Sequence, residues 1–317
     1  MSTIEIETNK DDYTGGDIVS GVARLCVTEP IIARGVRMKF QAFERSYWTT
    51  GSGKNRSTHS KYHYYVNEEK TVFGQEPLST LSLMADAVKG IISKAHYEVI
   101  QPGTYEYEFS YQLPDVIPGD YESGGNAKIA YELTAYVDIP LKFDLQETKK
   151  LTVYESHDES MAKPISGQNS KTFMLDSAGP LEMKVKTDTN MYFPGDKGFG
   201  EVEIMNKSSK EIDAVTVSIC RVLDMKTDYR STSRKHDMEV NRMDKPTIPK
   251  GKPTTFKFDF VVPEDLYCTV TSGQIVKVHY ELVVNLDVPW AIDLDTRLPI
   301  VLLEEQGVPS GFKRKPE

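Results

Sequence analysis

The chain has 317 residues, enough for two domains of ordinary size, and its 39% hydrophobic and 27% charged content is that of a folded globular protein rather than a disordered one. A net charge of −9 gives no general attraction to nucleic acid, which is not expected as a partner. No apolar run approaches the ~18 residues of a membrane span, and the start Met-Ser-Thr-Ile-Glu-Ile-Glu has neither the basic nor the apolar part of a signal peptide.

Taken in order, the chain is dominated by period-two alternation, the mark of strands with one face in a core and one in water. Ile4 and Ile6 share a face in Thr3–Glu7. Val19, Ala23, Leu25 and Val27 share another across Gly21, and Val36, Met38, Phe40 and Ala42 follow. Turns between them are built from Gly, Pro, Asn and Asp, as at Thr14-Gly15-Gly16-Asp17. The segment from Arg45 to His63 is polar, basic and punctuated by Gly51 and Gly53, which predicts a long hairpin tip carrying Arg45, Lys54, Arg56 and Lys61. From Leu78 to Ala95, helical spacing of Leu81, Met84, Val88 and Ile91, with Ser79 or Thr80 as N-cap, predicts one short helix. That helix is expected either to pack outside the first sandwich or to meet a partner or membrane. Alternation returns at Tyr105, Tyr107, Phe109 and Tyr111, and Leu151–Glu155 closes a first domain of residues 1–156. Residues 157–172 lack periodicity and are expected to be a linker. A second domain follows over 173–305, then a short tail, 306–317, with Lys313, Arg314 and Lys315.

The second domain repeats the first. Tyr131-Glu-Leu-Thr-Ala-Tyr-Val-Asp138-Ile-Pro140 recurs 149 residues later as Tyr280-Glu-Leu-Val-Val-Asn-Leu-Asp287-Val-Pro289. The early strands recur at 179, where Tyr13-Thr-Gly-Gly16-Asp17 returns as Tyr192-Phe-Pro-Gly195-Asp196. The difference, 30 residues, must lie between about 43 and 102 of the first copy. Extra length on a shared scaffold is where copy-specific function tends to sit. Many short strands with such turns favour an all-β chain of two tandem immunoglobulin-like β-sandwiches, the first with one short helix.

The chemistry of an enzyme is missing from the pattern. Gly15-Gly16 lacks the spacing of a phosphate loop, and neither a His-Glu-x-x-His nor a Gly-x-Ser-x-Gly occurs. His59 and His63 are four apart, but on a strand that spacing does not make a ligand pair. The repeated acids Asp138/Asp287 and Asp144/Asp293, with Asp295, are read as solvated turn acids. Calcium binding is the alternative, weakened because the first copy has Gln146 where the second has Asp295. Three widely spaced cysteines, Cys26, Cys220 and Cys268, argue against disulfides or zinc; each is expected to be a small buried hydrophobe in a reducing compartment. Catalytic residues, metal and cofactor are therefore expected to be none.

These residues together resemble the arrestin family, most closely its α-arrestin (arrestin-domain-containing) branch. The Tyr-x-x-Gly-Asp turn and the strand after it stand as Tyr13 to Val22. The strand running to a Trp stands as Val36 to Trp48, and the Pro-Gly-x-Tyr-x-Tyr-x-Phe signature as Ile100 to Pro114. The second-domain Tyr-x-Pro-Gly-Asp stands as Tyr192 to Asp196, with Asn206 and the closing Leu298-Pro-Ile300. The likeness covers residues 3–305. It implies two sandwiches joined by a hinge in a non-enzymatic adaptor. Such an adaptor binds cytoplasmic parts of membrane proteins, links them to endocytic or endosomal sorting machinery, and is recruited from the cytoplasm to plasma membrane or endosomes. A retromer cargo-adaptor subunit is a variant of that reading. The other reading is a peripheral module for phosphoinositides or anionic membranes, with Arg45, Lys54, Arg56, Lys61 and Lys313–Lys315 meeting headgroups at roughly 1 kcal/mol each.

The departures are specific. Receptor-binding arrestins carry a Lys pair on the first strand, whereas Thr3–Glu7 is acidic here. Their buried charge lock uses an Arg on the strand ending domain one, and Leu151–Glu155 has none, so Asp17 is expected to be a turn residue. Pro-Pro-x-Tyr does not occur in the 317 residues and no clathrin box is evident, so recruitment is expected to use the domains themselves or an extension beyond them.

Overall fold

The computed structural model describes residues 1–74, 76, 97–140, 143–174 and 178–304. The predicted helix with Leu81, Met84, Val88 and Ile91, and the tail with Lys313, Arg314 and Lys315, lie outside the described residues.

The chain divides into two compact units, one formed by 1–45 with 62–154, the other by 46–61 with the residues from 155 on. In the first half the strands are β1 (Thr3–Thr8), β2 (Asp12–Thr14), β3 (Ile18–Val27), β4 (Ile31–Ala33), β5 (Gly35–Thr50), β6 (Ser57–Gly74), β7 (Glu98–Ile100), β8 (Gly103–Gln112), β9 (Tyr121–Ser123), β10 (Ala127–Asp138) and β11 (Leu145–Tyr154). Sheet order is β1-β3-β8 in one layer and β2-β11-β10-β5-β6 in the other, with β9 on β10 and a separate β4-β7 ladder. In the second half they are β12 (Ile165–Lys171), β13 (Leu181–Thr187), β14 (Met191–Tyr192), β15 (Lys197–Asn206), β16 (Ala214–Lys226), β17 (Ser231–Asp244), β18 (Pro253–Val261), β19 (Val276–Asp287) and β20 (Leu294–Leu302). Here the layers are β12-β13-β15-β18 and β14-β20-β19-β16-β17.

The two offsets hold through the hydrogen-bonded ladders. Thr3 pairs with Cys26 as Glu182 pairs with Met205, and Gly21 with Phe109 as Gly200 with Phe258. The short parallel pairing of Tyr13 with Val153 returns as Tyr192 with Leu302. Strand β10 superposes by number on β19, 12 residues each. Its tyrosine has one job in both copies: Tyr131 Oη donates to the Pro118 carbonyl at 2.6 Å, and Tyr280 Oη to the Tyr267 carbonyl at 2.7 Å. Both rings are about 1% exposed, so each hydroxyl would cost free energy without that partner.

Alternation predicts the cores well. In β3, Val19, Gly21, Ala23, Leu25 and Val27 are buried while the residues between them are not. In β8 the inward set is graded: Phe109 and Tyr111 are buried, Tyr105 and Tyr107 only half so. Cys220 is buried, but Cys26 and Cys268 are half-buried, which corrects their reading as core residues. Cys26 follows the outward parity of β3, and its Sγ lies 3.7 Å from Thr104 Oγ1.

Two expectations change. The hairpin tip is much shorter than 45–63, because β5 runs to Thr50 and β6 begins at Ser57, leaving only 51–56 with a 3-10 turn at Gly53–Asn55. Polar side chains hid the strands, since neither end of this hairpin needs a fully apolar face. The expected linker, 157–172, contains β12, whose seven residues pair with β13 from Ile165↔Thr187 to Lys171↔Leu181. None of the seven residues is fully buried, and of the alternate set Ile165, Gly167, Asn169 and Lys171 only Ile165 is a large apolar residue, so periodicity could not find it.

Candidate binding surfaces

Of the repeated acids, Asp144 and Asp293 are turn-makers, whereas Asp138 and Asp295 are held in ion pairs with arginines and are not solvated turn acids. Asp144 Oδ1 accepts the Ile139 N–H at 2.9 Å and Asp293 Oδ1 the Val288 N–H at 3.1 Å, closing equivalent turns. Asp17 Oδ2 accepts the Thr14 N–H and Asp196 Oδ2 the Phe193 N–H, both at 2.8 Å. Asp17 also takes Lys10 Nζ at 2.8 Å, and this cation together with the amide holds its carboxyl below the usual range. It acts as a turn residue, as its lack of a β11 arginine suggested. Among the described residues no group of three or more His, Cys, Asp and Glu is placed to hold a metal.

Asp138 differs from its copy. It receives Arg34 at 2.9 Å and the buried Arg37 Nη2 at 3.0 Å, whereas the positions equivalent to those arginines in the second unit are Asp213 and Thr216. The backbone contact is common to both: Arg34 N–H donates to the Asp138 carbonyl, and Asp213 N–H to that of Asp287.

The four basic residues of the hairpin do not form one patch. Arg45 is half-buried, its guanidinium 5.9 Å from the Tyr62 ring. Lys61 forms an ion pair with Asp228. Lys54 and Arg56 are exposed in the turn. Gly51, at φ 76°, makes that turn: a Cβ there would lie 2.3 Å from the Asn55 carbonyl oxygen. Below the turn, Trp48 packs on His59 with centroids 5.2 Å apart, and Thr50 Oγ1 lies 3.0 Å from His59 Nε2. His59 is thus a packing residue, and His63 stands edge-on to Tyr65.

Sequence reasoning missed several exposed apolar groups. Tyr62 and Tyr64 stack at 6.2 Å with Phe43 beside both, although they are 48% and 45% exposed. Phe143 in the β10–β11 turn and Trp290 in the β19–β20 turn are fully exposed, as is most of Ile292. The signal was present: Phe143 and Ile292 are 149 apart, directly before the turn-making acids.

Comparison with known proteins matches residues 2–160 to the profile "Arrestin (or S-antigen), N-terminal domain" and 177–306 to "Arrestin (or S-antigen), C-terminal domain". The chain belongs to the arrestin family. It is 30% identical over 99% of its length to Arrestin domain-containing protein A of Dictyostelium discoideum, of which it covers 53%. It is 25% identical over 98% of its length to Arrestin domain-containing protein 4 of Mus musculus, covering 72% of that protein. With Thioredoxin-interacting protein of Homo sapiens it is 21% identical over 94%, covering 73% of it. The chain thus spans about half the length of the Dictyostelium relative. These matches relate it to α-arrestin-type proteins, with two tandem all-β arrestin-fold domains. No helix among the described residues is long and apolar enough to cross a membrane.

Proposed function

We propose that this arrestin-family chain is a non-enzymatic adaptor that binds cytoplasmic segments of membrane proteins and links them to endocytic or endosomal sorting machinery. It would act from the cytoplasm by recruitment to plasma membrane or endosomes. The observation that carries the proposal is the hairpin. The β5–β6 hairpin has its counterpart in β16–β17, but in the first copy the strand into the turn is longer, 16 residues in β5 against 13 in β16, and the turn presents Lys54 and Arg56 to solvent. Arg45 and Lys61 already have an aromatic and a carboxylate partner, which leaves Lys54 and Arg56 as the proposed contacts at the tip. Affinity capture from membrane lysate with the full chain tests this. Recovery of membrane proteins that falls on Lys54→Glu/Arg56→Glu supports it, and recovery of only soluble metabolic enzymes refutes it.

The exposed Trp290, Ile292 and Phe143 favour a second reading, contact with an anionic membrane, because aromatic side chains settle at the headgroup level beside basic groups. Flotation with anionic vesicles tests it. Unchanged flotation of Lys54→Glu/Arg56→Glu removes the hairpin from this role, and unchanged flotation of Trp290→Ser removes the β19–β20 turn.

A further inference from the structure

Two copies of one module show what each position can be used for. In the first unit β4 and β7 zip together as Ile31↔Ile100, Ile32↔Val99 and Ala33↔Glu98. The offsets of 179 and 149 carry these segments to Lys210–Ile212 and Thr247–Pro249. There no ladder forms. Instead a cavity of about 480 Å³ opens, lined by Lys210, Glu211 and Ile212 on one side and by Lys245, Ile248 and Lys250 on the other. The cause is legible in the residues: Pro249 stands for Ile100 and Pro246 for Tyr97, and proline has no N–H to give a ladder.

The walls are held in place. Asn206 Nδ2 donates to the Lys210 carbonyl at 2.7 Å, and its Oδ1 accepts the Ser208 N–H at 3.0 Å and hydroxyl at 2.7 Å. Gly251 N–H donates to the Asn206 carbonyl at 2.7 Å, and Lys245 N–H to the Asp213 carbonyl at 2.7 Å. That last bond holds Lys245 at φ 45°, a conformation a lysine otherwise avoids. Lys210, Lys245 and Lys250 take part in no ion pair among the described residues, and they outnumber the lining carboxylates, Glu211 and Asp213.

We propose that this cleft receives a short extended segment of an acidic peptide, which completes from outside the ladder that the first unit makes internally. Strand addition supplies backbone hydrogen bonds at Glu211 and Ile212, Lys210 being held by Ser208 and Asn206, and the three lysines at the rim select carboxylate side chains. The cavity lies within the size range of small-ligand sites, about 300–1,000 Å³, which suits a few residues and not a folded domain. This site is independent of the hairpin, so either can fail without the other.

The test uses the full chain and two labelled ten-residue peptides, one alternating Asp with Val or Thr, the other with Asn in place of each Asp. Anisotropy should show the Asp peptide binding, with roughly tenfold weaker binding of the Asn peptide and of Lys245→Gln/Lys250→Gln protein. Hydrogen exchange should show peptide-dependent protection at 206–213 and 245–250. The variant Pro246→Tyr/Pro249→Ile, which restores the residues of the first copy, should close the cleft and abolish binding. If that variant does not fold, the lysine pair and the exchange map decide alone. Equal binding of the two peptides, no binding of either, protection elsewhere, or displacement of the peptide by inositol hexakisphosphate at stoichiometric concentration would overturn the proposal.

Discussion

Asp138 and Asp287 occupy the same place in two copies of one strand, so the same substitution at each is a controlled experiment. Asp138 is the ion-pair partner of Arg37, whose side chain is 3% exposed and whose Nε and Nη1 have no hydrogen-bond partner among the described residues. Replacing Asp138 by Asn leaves a buried guanidinium charge uncompensated. Breaking a buried pair by removing one partner costs about 3–5 kcal/mol. Asp138 itself is 18% exposed and its second partner, Arg34, is 48% exposed, so water recovers part of the loss and about 2–3 kcal/mol is expected. Asp287→Asn removes no ion pair among the described residues and should stay within about 0.5 kcal/mol. A chain of two units does not guarantee one unfolding transition, so the assay is hydrogen exchange of each strand, followed by mass spectrometry. Amides of 127–138 should exchange roughly 30-fold or more faster in Asp138→Asn, while those of 276–287 in Asp287→Asn should change less than about threefold. Equal losses at the two sites would refute the reasoning, because they would show that the shared turn and not the arginine pair sets the cost.

Gly21 and Gly200 lie under the rings of Phe109 and Phe258, and an added Cβ would meet a ring atom at 2.9 and 2.4 Å and a backbone oxygen at 2.0 and 2.8 Å. Gly21→Ala and Gly200→Ala should each cost about 1–3 kcal/mol or more, read as a lower thermal midpoint. Asp144→Ala and Asp293→Ala should each cost about 0.5–1.5 kcal/mol for the lost amide bond, with the wild-type melting temperature equal in calcium and in chelator; a calcium-dependent rise would restore the calcium reading. Burial, chiefly, pushes the Cys220 thiol up to about 11, so at pH 8 it should resist alkylation until the protein unfolds. The unfolded thiol ionises first, so this group's contribution is fully present below about pH 8.5 and is lost as pH rises toward 11. Rapid labelling of Cys220 in the native protein would contradict its placement.

The duplication, the strand periods and the family likeness are all legible in the sequence alone, because each rests on local pattern: side chains alternate at every second residue, and turns need Gly, Pro or Asp at set places. The offsets even forecast which residues share a role, as Tyr131 and Tyr280, or Asp144 and Asp293, show. Strands whose stability comes from a neighbour and not from their own apolar face were hidden. Strand β12 looked like linker, and β5 and β6 beyond Arg45 looked like loop, since a polar edge or a two-sided hairpin leaves no period to read. The functional candidates divided along the same line. Sequence alone placed the basic residues near a hairpin, but only packing separated Arg45 and Lys61, which spend their charge on Tyr62 and Asp228, from Lys54 and Arg56, which face water. Likewise the prolines at 246 and 249 were visible in the chain. That they leave a lysine-rimmed cleft where the first copy has a ladder depends on a pairing between segments 35 residues apart, which tertiary structure alone decides.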